Sequence, residues 1–385
     1  MRCPSLNDLP PPPLGKTGWP WTVESDPLLP TMPDGQPWPK ISIVTPSYNQ
    51  GEFIEETIRS ILLQNYPNLE YIIIDGGSAD ASVEIIRKYE PWLTYWLSEK
   101  DRGQSHALMK GFRRATGTLF AWLNSDDYYL TNTLSTVALS CNKHPDAAVY
   151  YGDFYKLLTE EEQVGGSSAH LLLPRDVSTV TLDLLRRRCG IGQQSCFFNS
   201  KDFFATDCID EDLHYAMDYD LWFRLFSLDK KHVKIDNYLS VFRYHKESKT
   251  CSVSIPFSRE ELLLMWRYRS PFFESKFFSL CRALSNTYHI ETRAELQSKI
   301  NECFSASVFA ELRSVLRNSR NNKISSLACS EVIFEKAITK ANEMDWRCAR
   351  KLIIKYLSFA PNCRLSKSRL LALLNIFLSK TVSTT

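Results

Sequence analysis

TLFAWLNSDD, residues 118–127, sets an apolar run directly against an acidic pair. The aromatic and aliphatic content of Thr118–Leu123 reads as a buried strand, and Asn124-Ser125-Asp126-Asp127 as the polar turn that ends it. Toward the N-terminus lie three more runs of this kind: ISIVT (41–45), YIIID (71–75) and LTYWLS (93–98). Helical spacing fills the gaps between them. Glu52–Leu63 carries Phe53, Ile54, Ile58, Ile61 and Leu62 on one side, a second helix passes through Ile85 and Ile86, and a third runs from Gln104 to Arg114. Four strand–helix alternations predict an α/β domain with a mainly parallel sheet. Fully apolar strands such as YIII fit a sheet covered on both faces.

In an open sheet of this type, ligands bind outside the carboxyl ends of the strands. Every predicted strand ends in hydrogen-bonding side chains: Thr45–Gly51 after the first, Asp75-Gly76-Gly77-Ser78 after the second, Ser98–Gly103 after the third, Asn124–Asp127 after the fourth. The first loop has one glycine, so it is not the G-x-G-x-x-G turn that lets a backbone approach a pyrophosphate, and a G-K-[ST] phosphate loop is absent too. Adjacent carboxylates offer another solution. Hard oxygen ligands bind Mg²⁺ or Mn²⁺, and the cation holds a diphosphate. An isolated Asp-Asp pair would read as a solvated turn; its place beside three other polar strand ends favours the ligand reading.

The rest of the 385-residue chain divides by composition. Residues 1–40 hold eleven of the nineteen prolines, with Trp19, Trp21 and Trp38 among them, which predicts an extended segment laid over a domain surface. The α/β pattern occupies 41–255, and 256–385 reads as a helical accessory region, with helical spacing at Glu260–Tyr268, Arg293–Leu316, Leu327–Asn342 and Ala349–Leu357. A net charge of +2 predicts no nucleic-acid partner. Eleven scattered cysteines without a C-x-x-C spacing read as buried thiols in a reducing, cytoplasmic compartment. No apolar run spans a bilayer, and the N-terminus lacks a signal-peptide pattern, so the expectation is a soluble chain, at most peripheral at the inner face of the membrane. The sequence says nothing of oligomeric state.

The stretch Ile41–Leu130 resembles the family 2 glycosyltransferases, which have the GT-A fold, a Rossmann-like architecture for nucleotide-diphospho-sugars. The motifs are T-P-S-Y-N (45–49), I-I-D-G-G-S-A-D (73–80), S-E-K-D-R-G-Q-S-H-A-L (98–108) and W-L-N-S-D-D (122–127). Further on, G-Q-Q-S-C-F-F (192–198), M-D-Y-D-L-W-F-R-L (217–225) and F-R-Y-H (242–245) match as well. The resemblance implies an inverting hexosyltransferase using a nucleotide-sugar donor, a UDP-sugar first, and a saccharide or lipid-linked acceptor, in surface polysaccharide or glycolipid assembly. A sugar nucleotidyltransferase is the rival enzyme, though its usual basic loop after the first strand has no counterpart in Thr45–Gly51. A catalytically degenerate scaffold is the non-enzymatic rival.

Residue by residue, the resemblance implies that Pro46, Ser47 and Tyr48 frame the nucleotide base and that Asp75 accepts a hydrogen bond from it. Shaping the turn, for Pro46, and capping the next helix, for Asp75, are the plain alternatives. Asp101 and Arg102 fall where the family contacts nucleotide and donor sugar. Ser125-Asp126-Asp127 stands for the D-x-D signature, with Asp127 as first choice for direct metal ligand and Asp126 nearer the ribose or bridging to the metal. Asp218, read as preceding a helix at Leu221–Leu228, is the candidate general base, with Asp220 its competitor. His245 is a candidate third metal ligand, and Gln193 and Gln194 line the acceptor side. Gly165–Arg175 reads as a mobile acceptor loop.

Overall fold

The computed structural model describes residues 3–158, 171–245, 248–249, 255–268 and 270–271, with single positions at 276, 280 and 299. The chain divides into two compact units, Met1–Val253 and Ser254–Thr385. In the first unit β1 (Ile41–Ser47), β2 (Leu69–Asp75), β3 (Tyr95–Ser98) and β4 (Leu119–Trp122) alternate with α1 (Ile54–Leu62), α2 (Ser82–Lys88) and α3 (Gln104–Phe112). Then come β5 (Tyr128–Tyr129), α4 (Thr133–Lys143), β6 (Val149–Leu158), β7 (Leu171–Arg175), α5 (Leu182–Arg187), β8 (Cys196–Asn199), α6 (Ser200–Ala205), α7 (Met217–Phe226) and β9 (His232–Tyr244).

The sheet order is β3-β2-β1-β4-β8-β6-β9-β5, with β7 beside β6. The half that carries β1 to β4 is parallel. Antiparallel pairing enters through β8, β5 and β7, while β6 and β9 run parallel. β1 and β2 are buried along their whole length, which is why they read as continuous apolar runs. α3 lies close against β1 because Gly111 has no side chain: a Cβ there would stand 2.4 Å from Val44 Cγ1.

The N-terminal segment is tied to this core rather than trailing from it. Cys3, Leu9, Met32 and Trp38 pack into the same cluster as Ile54, Ile58 and Ile61 of α1. Arg59, fully buried on α1, donates to the carbonyls of Pro10 (2.8 Å), Pro20 (3.0 Å) and Trp21 (2.9 Å). Proline-rich backbone cannot satisfy its carbonyls in a sheet or helix, and one guanidinium with five donors does so here. Trp19 donates its indole N–H to the Tyr129 carbonyl (2.7 Å).

Two sequence expectations need correction. Of the proposed loop 165–175, residues 171–175 form β7, an edge strand paired with β6, and the preceding residues lie outside those described. The helix expected at Leu221–Leu228 begins four residues earlier, at Met217, so Asp218 sits in its first turn. In the second unit the described residues include α8 (Ile255–Arg267), with Leu262, Leu264 and Met265 buried. The helices expected at 293–316, 327–342 and 349–357 lie outside the described residues, apart from position 299.

Candidate active site

A cleft of about 810 Å³ opens along the carboxyl ends of the parallel strands. Pro46, Ser47 and Tyr48 enter it from the end of β1, Gly76 and Gly77 from the turn after β2, Lys100 and Asp101 from the loop after β3. Asn124, Ser125 and Asp126 come from the turn after β4. The far wall carries Gln193 and Gln194 ahead of β8, Met217 and Asp218 of α7, and Phe154 and Phe242 of β6 and β9. Three carboxylates, Asp101, Asp126 and Asp218, therefore share one cavity.

Each is set by local structure. Asp101 Oδ1 accepts from the Gly103 N–H (2.8 Å), fixing a tight turn in which Gly103 takes φ +113°, a conformation side chains rarely adopt. The Asp101 carboxylate packs against Gly76, where a Cβ would meet its Oδ2 at 2.9 Å. Asp218 accepts from the N–H of Tyr219 (2.7 Å) at the start of α7, where the unpaired N–H groups favour negative charge. Asp220, its competitor, is fully buried and pairs with Arg224 (2.8 Å). Of the two, only Asp218 lines the cleft.

The acidic turn separates its members. Asp126 lines the cleft, and its Oδ2 lies 3.0 Å from His245 Nε2. Asp127, only 1% exposed, lies behind the wall, with Oδ1 accepting from the Arg243 N–H (2.9 Å). Burial, and then the charge of Asp126, push the Asp127 carboxyl well above the usual carboxylate range, and the Arg243 N–H and guanidinium pull it back. Asp126 is thus the member of the pair that lines the cleft, while Asp127, first choice from sequence for a metal ligand, lies behind it. His245 is buried beside Phe53, with ring centroids 4.7 Å apart, and reaches the cleft only through Asp126.

Two other expected contacts point elsewhere. Asp75 is fully buried and its acceptor sites serve its own loop and the end of β3. Oδ2 accepts from Gly77 N–H (3.1 Å), Ser78 N–H (2.9 Å) and Ser98 Oγ (2.7 Å), and Oδ1 from Ser78 Oγ (2.5 Å). It shapes the turn that presents Gly76 and Gly77 to the cleft and does not itself line the cavity. Arg102, 73% exposed in its side chain, pairs with Glu211 (2.6 Å) and is not among the lining residues. Gln193 does line it, donating to the Trp122 carbonyl (2.7 Å).

Asp101, Asp126 and Asp218, all within the motifs quoted from the sequence, line a cavity where the parallel strands end. The model for glycosyl transferase family 2 matches residues 42–204. That stretch is a family 2 glycosyltransferase domain. An uncharacterized glycosyltransferase of Rickettsia conorii is 30% identical over 234 residues, 59% of this chain and 37% of that protein. A Bacillus subtilis glycosyltransferase provisionally named for teichuronic acid biosynthesis, TuaG, is 36% identical over 99 residues, 25% of this chain and 39% of its own. The chain thus spans well under half the length of both relatives. The structure of S. aureus TarS residues 1–349 in complex with UDP-GlcNAc superposes with a TM-score of 0.48 at 17% identity, over 83% of this chain and 92% of that one.

The glycosyltransferase domain also brings residues to the cleft that pattern did not single out. Lys249 donates to Gln104 (2.9 Å), whose amide donates to Asn124 Oδ1 (2.7 Å), linking the segment after β9 to the acidic turn. Lys100 adds a second cation to the lining. Gln104, Asn124 and Lys100 sat inside quoted motifs, so their position after a strand was a usable signal; Lys249 had none.

Proposed function

We propose that the chain is an inverting, cation-assisted glycosyltransferase. It moves a sugar from a nucleoside diphosphate, UDP in the first instance, to a hydroxyl of a saccharide or lipid-linked acceptor. The observation that carries this is the placement of Asp218 and Asp126 in one cavity on separate elements, Asp218 on α7 and Asp126 on the turn after β4.

Transfer with inversion is a single displacement. The acceptor oxygen bonds to the anomeric carbon as the bond from that carbon to the diphosphate oxygen breaks, and the acceptor proton goes to a base. Asp218 supplies the carboxylate for that proton. Pro46, Ser47 and Tyr48 form the nucleotide end, with Tyr48 63% exposed and free to lie against a base. Lys100 and Lys249 line the same cavity and are the cations available to a diphosphate.

A divalent cation fits the residues present. Among the described residues no three His, Cys, Asp or Glu side chains form a metal cluster. Mg²⁺ or Mn²⁺ in nucleotide sites is commonly held by one or two carboxylates plus the phosphates, so a full protein cage is not required. Asp126 would be the cleft-side ligand, His245 at 3.0 Å from it the neighbouring donor, and Asp127, whose Oδ2 is buried without a hydrogen-bond partner, the reserve carboxylate. Bound there, the cation supplies charge neutralisation for the departing diphosphate.

The test is hydrolysis of a panel of nucleotide sugars, with Mg²⁺, with Mn²⁺ and in excess chelator. Hydrolysis of one donor or a few, lost in chelator, is expected. A chain that neither binds nor hydrolyses any nucleotide sugar is not a transferase, and unchanged donor affinity in chelator removes the cation. Among the described residues no helix is long and apolar enough to cross a membrane; action at the inner face of a membrane, on surface polysaccharide or glycolipid, fits the TuaG likeness and is part of the proposal.

A further inference from the structure

The acids at the end of β4 hang on a four-residue turn, closed by the Asp127 N–H donating to the Asn124 carbonyl (3.1 Å). Adjacent carboxylates repel, and nothing in a short turn decides which of them faces a cavity. The decision comes from two distant elements. On one side α1 contributes Thr57, whose Oγ1 donates to the Asp127 carbonyl (2.6 Å), with the Ser125 carbonyl 3.0 Å away. Ser60 Oγ accepts from the Tyr129 N–H (3.1 Å). On the other side β9 contributes Arg243, and there the contacts concentrate.

Arg243 is 5% exposed and serves both acids at once. Its backbone N–H donates to Asp127 Oδ1 (2.9 Å), drawing that carboxylate away from the cleft. Its Nη1 donates to the Asp126 carbonyl (2.5 Å), which fixes the backbone from which the Asp126 side chain projects. Its Nη2 donates to Glu56 Oε2 of α1 (2.8 Å), and the guanidinium lies 4.8 Å from the centre of the Phe53 ring. The planar fork ties the turn to α1 through two donors that an ammonium could not place at once. The Glu56 carboxylate offsets part of the guanidinium charge, so Arg243 delivers geometry beside the charge it lends to the acids.

We propose that Arg243 is a positioning residue of this site: its guanidinium, anchored on Glu56, fixes the turn backbone from which Asp126 projects toward the cleft. This rests on the glycosyltransferase reading above. The expected consequence is selective. Removing the guanidinium should disorganise the cation-dependent part of nucleotide binding and leave the part made by Pro46, Ser47 and Tyr48 intact, since those residues belong to β1 and its following loop.

The experiment is calorimetric titration of UDP into the full chain, once with Mn²⁺ and once in EDTA, for the wild type and Arg243→Ala. Circular dichroism and the thermal transition establish that the variant is folded. Wild type should bind UDP more tightly with Mn²⁺ than in EDTA. R243A should keep its affinity in EDTA and lose about tenfold or more of the Mn²⁺ enhancement, as expected when a buried carbonyl and a carboxylate lose their partner. Equal losses in both conditions would show a purely structural role and overturn the inference, as would no loss in either. Should R243A not fold, Arg243→Lys, whose single ammonium cannot hold both acceptors, is read by the same two titrations. A wild type that binds no UDP overturns the glycosyltransferase reading as well, and that result is seen before any variant is made.

Discussion

Replacing Asp75 separates two accounts of the acid that ends β2. As a base-binding group it would touch the nucleotide; in the structure it is sealed beneath its own loop and accepts four hydrogen bonds. In Asp75→Asn the carbonyl oxygen can take the place of Oδ2 and keep three of them, from Gly77, Ser78 and Ser98. The new NH₂ then faces Ser78 Oγ, which can turn to accept. What is lost is charge on the acceptor: hydrogen bonds to charged groups contribute about 1.5–3 kcal/mol each against about 0.5–1.5 for neutral ones. Three such differences, each about 1–1.5 kcal/mol, amount to roughly 3–4.5 kcal/mol. Asp75→Ala goes further, orphaning two backbone N–H groups at about 1–3 kcal/mol apiece. Urea unfolding of both variants, with UDP titration alongside, is the assay. We expect Asn to lower stability by about 3–4.5 kcal/mol and Ala by more, with UDP binding weakened in the same order as Gly76 and Gly77 lose their support. If Asp75→Asn unfolds like wild type, within about 0.5 kcal/mol, yet no longer binds UDP, the carboxylate faces the ligand and the buried reading is refuted.

Three other outcomes follow from the same structure. Asp218→Asn should cut sugar transfer about 10²–10⁴-fold, the usual worth of a general base, while UDP affinity stays within about twofold; a variant with full turnover removes Asp218 from the reaction. Gly152→Ala should cost about 1–3 kcal/mol in urea unfolding, because a Cβ at the bulge between Gly152 and Asp153 would stand 2.6 Å from Leu239 Cδ1 and 2.8 Å from the Asn237 carbonyl; an unchanged midpoint would contradict that close approach. His232 stacks on Phe226 at 3.9 Å, and burial holds its pKa below the ordinary 6.5. The unfolded chain then binds the proton first, so stability should fall as pH drops through about 6.5 and level off below the folded pKa. His232→Phe should remove that part of the loss between about pH 7.5 and about pH 5.5, seen in denaturant midpoints; parallel losses in both proteins would refute it.

The parallel half of the domain was legible because its strands are buried on both faces. ISIVT and YIIID read as strands with no help from their partners, and β1 and β2 extend them by only two residues at one end. The second half was not, and β7 shows why. Its sequence, LLLPR, contains Pro174, which argues against a strand in the interior of a sheet. β7 pairs with β6 alone, so Pro174 sits on an edge where a missing N–H costs nothing. Whether a strand is an edge strand is a property of the whole sheet. β9, HVKIDNYLSVFRY, mixes lysine, aspartate and arginine into its apolar positions, because it must serve β6, β5 and the acidic turn in succession.

The site divides along the same line. Pro46, Ser47, Tyr48, Asp101, Asp126, Asp218, Gln193 and Gln194 were named from sequence and line the cleft. The first six of these stand at the end of a strand, in the loop after one, or in the first turn of a helix. Asp75 and Asp127 have the same local signature, yet neither lines the cavity, because their partners decide. Asp75 is claimed by donors within its own loop and from Ser98, 23 residues on. Asp127 is claimed by Arg243, 116 residues on. For two adjacent acids no periodicity distinguishes the one that lines the cleft from the one that packs against protein. The donor to Asp127, the N–H of Arg243, lies on a strand that enters the sheet only after the chain has passed through four more helices, and no local pattern around the acids announces it.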